Sequence, residues 1–148
     1  MTDSLTEHLV VPVANEADAT RTARALQAYE FDQVTVVYVI EHTADAIDIL
    51  SPEQAREHGQ DALEAFRAVI PDAGSETVAA ADVVDGVLAV AADVDATAIA
   101  FQPRGGSRIV QLLSGDTALR LVTEADRPVI ALPGGEEDES EGARGEDT

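Results

Sequence analysis

Five short apolar runs, separated by segments of helical period, restrict this chain to an alternating α/β architecture more than any other feature. His8-Leu9-Val10-Val11-Pro12-Val13 and Val34-Thr35-Val36-Val37-Tyr38-Val39-Ile40 are rich in β-branched residues and free of acidic or Arg side chains. That is the character of strands buried on both faces. Thr97-Ala98-Ile99-Ala100-Phe101 and Val129-Ile130-Ala131-Leu132, the latter opened by Arg127-Pro128, read the same way, and Glu76-Thr77-Val78-Ala79-Ala80 is a shorter, weaker strand. Between the runs, apolar residues recur at helical spacing: Ala19, Ala23, Leu26 and Tyr29; Leu63, Phe66, Val69 and Ile70; Val84, Val87, Leu88 and Ala91; Ala118, Leu121, Val122 and Ala125. Start signals support these helices. Asn15 with Asp18 is a weak cap, Ser51-Pro52-Glu53-Gln54 a complete one, and Asp82 with Asp85 opens the third. The order βαβαβαβαβ implies a parallel sheet with right-handed crossovers and helices on both faces. Ligands on such sheets sit at the carboxyl ends of the strands, near the topological switch point.

At 148 residues the chain has room for one domain, which buries about 70% of its unfolded surface. The patterned body, residues 1–133, is that domain. Residues 134–148 hold seven acids, one Arg and no apolar residue larger than Ala143. Such a tail cannot bury enough surface to offset its ordering entropy, and we expect it to be disordered. Charge dominates the composition: 29 acids against nine bases give −20, and every base is Arg. Six of those net charges lie in the tail, which leaves −14 on the body. This balance disfavours nucleic acid and anionic membrane surfaces, whose binding draws on Lys and Arg. Dense carboxylate without Lys is the composition of a protein adapted to a salt-rich cytoplasm, where screening relieves self-repulsion. The absence of Cys excludes a disulfide framework and a thiolate metal site. The acidic start, Met1 to Glu7, lacks the basic and apolar regions of a signal peptide. A cytoplasmic location is therefore expected.

Three segments carry a resemblance to a known family. Leu9-Val10-Val11-Pro12-Val13, Gly105-Gly106-Ser107-Arg108 with Leu112-Leu113-Ser114-Gly115, and Arg127-Pro128-Val129-Ile130 resemble the first strand and C-terminal signature of the universal stress proteins of the UspA type. Nine residues separate Gly105 from Gly115, as in the family's nucleotide pattern Gly-x-x-Gly-x₉-Gly-Ser/Thr. The resemblance covers nearly all of residues 7–133. It implies a five-stranded parallel sheet of order 3-2-1-4-5, a dimer, and, in the ATP-binding members, a nucleotide at the ends of strands one and four. Carried over, it implies Pro12, Val39, Gly105, Gly106, Ser107, Arg108, Gly115 and Thr117 as the residues that a nucleotide or smaller anion would touch.

The sequence departs from the pattern at three positions. Gln102 stands where a first Gly lets backbone approach phosphate, Asp116 where Ser or Thr donates to it, and Ala14 where an Asp meets the adenosine. One carboxylate near one phosphate charge costs about 1 kcal/mol in water and about 4 kcal/mol at an effective dielectric of about 20. Mg²⁺ bridging Asp116 to phosphate would reverse that sign. Asp116 also serves as an ordinary helix cap, and Val39 as ordinary core. Nothing in the chain points to catalysis. His8, His42 and His58 are scattered, a metal site from His42 with Glu41 or Asp45 is weakly supported, and no HExxH, CxxC or GxSxG motif occurs. Ala14-Asn15-Glu16-Ala17 does not resemble the Ser/Gly-rich loop of the related ATP pyrophosphatases. The expectation is a non-catalytic domain without a cofactor, associating as a homodimer through Val129, Ile130, Ala131 and Leu132 and acting on an unknown protein partner. The alternative is a switch that binds ATP with Mg²⁺, or an anion, at the Gly105/Gly115 loop.

Overall fold

The structure, a computed structural model, describes residues 4–41, 52–102 and 115–133, with the backbone alone at 52 and 115–117. The elements run β1 (His8–Pro12), α1 (Glu16–Leu26), β2 (Gln33–Glu41), α2 (Pro52–Val69), β3 (Gly74–Ala80), α3 (Val83–Asp93), β4 (Ala98–Phe101), α4 (Gly115–Glu124) and β5 (Val129–Ala131). They form one five-stranded sheet of order β3-β2-β1-β4-β5 with every pairing parallel, as the alternation predicts. β1 is central. The chain steps outward through β2 to β3, then returns across β1 to β4, so the switch point lies between β1 and β4.

The period-2 alternation of the strands builds two apolar layers. Leu9, Val11 and Val13, Val34 and Val36, and Ala98 and Ala100 face α1 and α2, where they meet Ala19, Ala23, Leu26, Leu63 and Phe66. Val10, Val37, Ile99 and Phe101 face the other way, against Val84, Val87, Val90 and Ala91 of α3 and Leu121 of α4. Phe66 is the largest side chain fully out of solvent. Two glycines let helices lie close to the sheet. A Cβ on Gly59 would overlap the Tyr38 ring, and one on Gly86 would stand 2.7 Å from both methyls of Val39.

The helices differ from the sequence pattern at their ends. Tyr29 does not belong to the α1 stripe, because the helix stops at Leu26 and leaves that ring 49% exposed. Leu132 lies beyond β5, yet its N–H reaches the Phe101 carbonyl at 2.7 Å and its side chain is buried in the α1/α2 layer. It therefore adds nothing to an outer surface. The expected Ser51 cap and the acidic tail lie outside the described residues.

The two sheet edges are unlike. β3 is largely exposed and carries Glu76 in its middle, a charge of the kind that blunts an edge. β5 carries no charge, with Val129 and Ile130 half-buried and Ala131 exposed.

Candidate functional site

The carboxyl ends of β1, β2 and β4, with the helix starts that follow them, form the rim where a ligand of this fold would sit. Pro12 ends β1 and is buried. Val13 then donates to Val37, at 3.0 Å, and the chain turns into α1. Asn15 caps that helix by accepting the Asp18 N–H at 2.8 Å, while Asp18 reaches back to accept the Ala14 N–H at 2.8 Å. The Asn15 cap is the weak Asn15/Asp18 signal made concrete, with the Asp18 carboxylate bonding one residue before the cap. The burial of Asp18, which is 1% exposed, is less legible in sequence. Its one signal is spacing: Asp18, Thr22 and Leu26 share the apolar stripe of α1. Burial pushes the Asp18 carboxyl up, opposed by the Ala14 N–H, by Arg21 at 3.9 Å and by Thr22. A carboxylate thus meets the position-14 backbone, in place of the Asp side chain expected of the family at residue 14.

Carboxylates also occupy the start of α3. Glu41, the last residue of β2, accepts the Val83 N–H at 3.1 Å, and Asp82 accepts that of Asp85 at 2.9 Å. Asp82 also takes the Arg120 guanidinium at 2.9 Å, and Arg120 holds Glu124 one turn along α4, again at 2.9 Å. The Asp85 N–H, then Arg120, hold the Asp82 carboxyl below its ordinary range, and Arg120 does the same for Glu124. Helix-start amides are ready anion donors. Here those of Asp18, Val83 and Asp85 are already paired within the protein. Val39, expected against adenine, is half-buried and packs beside Gly86 of α3.

At the end of β4, Gln102 is buried, 1% exposed, on the same face as Ala98 and Ala100. Its Nε2 donates to the Pro133 carbonyl at 3.3 Å, and its Oε1 has no hydrogen-bond partner among the described residues. The side chain that sequence reading set against phosphate is therefore tied to the exit of β5. Gly115 opens α4, which puts Asp116 inside the helix rather than at its cap. Thr117 follows in the first turn, described by its backbone alone. Gly105, Gly106, Ser107 and Arg108 lie outside the described residues, as does His42. The structure thus brings Pro12, Gln102 and the α4 start to one end of the sheet, with Val39 half-buried beside α3. On the described rim the Asp18, Val83 and Asp85 amides are already paired, and Glu41 and Asp82 present carboxylate acceptors.

The remaining histidines serve structure. His8 meets the Thr35 hydroxyl at 2.9 Å at the opposite end of the sheet, and His58 stands edge-on to the Tyr38 ring at 5.8 Å. Among the described residues no group of three or more His, Asp or Glu is placed to hold a metal ion. No described helix is long and apolar enough to cross a membrane.

The model of the universal stress protein family matches residues 6–133, from before β1 to past β5. The chain belongs to the universal stress protein family. Solved structures of universal stress proteins share its fold. One from Archaeoglobus fulgidus is 22% identical, with a TM-score of 0.61 over 86% of this chain and 98% of that one. A universal stress protein of the same organism in complex with dAMP is 18% identical, with a TM-score of 0.58 over 88% and 100%. UspA from Lactobacillus plantarum is 20% identical, with a TM-score of 0.62 over 88% and 100%. At these identities the likeness concerns the fold. No curated protein matches the chain.

Proposed function

We propose that this universal stress protein is a non-catalytic, dimeric domain that acts through protein contacts, its nucleotide site degenerate. The observation that carries the reading is the β5 edge. It is short, uncharged and apolar in a chain that is 26% charged, whereas the opposite edge bears Glu76. Unpaired backbone groups on such an edge invite pairing with a twofold mate. Helix α4 adds apolar surface beside it. Arg120 and Glu124 lie on the flank that meets Asp82 before α3, and helical spacing puts Leu119 and Val122 on the other flank, 61% and 54% exposed. The test is light scattering in molar salt. The parent chain is a dimer, and Ile130→Lys converts it to a monomer whose circular dichroism is unchanged. Leu119→Glu, which replaces a side chain already in water, weakens the dimer without touching the core.

A second reading is a switch that takes ATP with Mg²⁺, or a smaller anion, at Gly105, Gly106, Ser107 and Gly115. The dAMP complex of the Archaeoglobus fulgidus protein favours it, as does the placement of Gly115 at the start of a helix. Calorimetry separates the readings. The degenerate-site account expects millimolar ATP with Mg²⁺ to leave the melting temperature nearly unchanged, because a ligand at about 100 times its Kd adds about 2.7 kcal/mol. Binding in the low micromolar range would establish the switch instead.

A further inference from the structure

We propose that Gln102 is a positioning residue for the association edge: its side-chain amide supplies β5 with an extra rung that holds the edge strand flush against β4 with no ligand required. The inference rests on reading β5 as the interface. β5 has only three residues, Val129 to Ala131, and its pairing with β4 is framed by Pro128 accepting from Ile99 at 2.9 Å and Leu132 donating to Phe101 at 2.7 Å. In this parallel register the bonds to β4 are made by residues 128, 130 and 132, and Pro133 follows them. Its carbonyl, beyond the ladder, accepts from Gln102 Nε2 at 3.3 Å. Amide orientation follows from that partner, since turning the group over would set Oε1 against the Pro133 oxygen.

The Oε1, orphaned among the described residues, strengthens the case. A buried acceptor without a partner opposes folding, so an apolar side chain of the same length would suit the interior better than Gln102 does. What Gln102 adds is a tie between the site end of β4 and the exit of β5. A Gly at this position, as the family's nucleotide pattern has it, offers no such tie. The rim residue that departs most from a phosphate cradle is thus the one that fastens the edge.

Gln102→Met tests this, with hydrogen exchange followed at Leu132 and at β1. Met keeps the bulk and removes both the rung and the orphaned acceptor. The expected result is exchange about fivefold faster at Leu132, whose N–H bonds Phe101, the factor for one net hydrogen bond, with β1 unchanged and the melting temperature equal or higher. A side chain that merely filled space would leave Leu132 exchange unmoved, and that outcome overturns the proposal. Because exchange reads the edge within one subunit, the result stands whatever the mass of the parent protein. A monomeric parent would remove the dimer reading alone. In a dimeric parent, Gln102→Met also weakens association by at least about fivefold, and an unchanged dimer constant with unchanged exchange would count against the rung.

Discussion

Asp18 shows how one residue can be right for local structure and wrong for its surroundings. Its carboxylate accepts the Ala14 N–H at the start of α1, yet it is almost wholly buried, where charge is unfavourable. Burial raises its pKa, so the stability it contributes is fully present below the ordinary carboxylate range and is lost as pH rises through the raised value. Asn keeps an acceptor for the Ala14 N–H and does not titrate. Asp18→Asn should therefore raise the melting temperature at neutral pH, with the gain fading as pH falls into the carboxylate range. A uniform loss at every pH would show that the charge itself holds the turn. The cap was legible in the Asn15/Asp18 pair, but burial was not, because in so acidic a sequence one carboxylate on an apolar stripe looks like the rest. Gln102 was read for its bulk. Its partner, the Pro133 carbonyl, is 31 residues away and has no local trace.

At the scale of the elements, apolar runs marked the strands, since β1, β2 and β4 are largely buried and admit few polar residues. The order 3-2-1-4-5 was legible only through the family resemblance. Helix ends were harder. Tyr29 continues the α1 spacing, but the chain leaves the helix at Gln27. Contacts between elements were harder still: Val39 reads as a strand residue, while its true neighbour is Gly86 on α3. That pair is testable. Ala is favoured over Gly in a helix by about 1 kcal/mol, but a Cβ at 2.7 Å from the Val39 methyls overpacks the contact, at about 1–3 kcal/mol. Gly86→Ala should lower stability on chemical denaturation, and adding Val39→Ala should return most of the loss. Simple additivity of the two substitutions would mean that α3 moves away freely.

The whole molecule is governed by charge. Glu53, Glu57, Asp61 and Glu64 form an exposed stripe along α2, spaced so that like charges repel through three turns. Taken with −14 on the body, this supports adaptation to high salt. Dilution of KCl from molar to about 0.1 M lengthens the Debye length from about 3 Å to about 10 Å. The melting temperature should fall across that range, with α2 losing exchange protection early. A flat response would remove the halophilic reading. The same salt screens subunits from one another, so association belongs in molar KCl. There the most direct test is the scattering mass of the parent chain at tens of micromolar. The account predicts twice the 15.5 kDa of one chain, falling to that of one chain in Ile130→Lys. A parent mass of one chain under those conditions would contradict it.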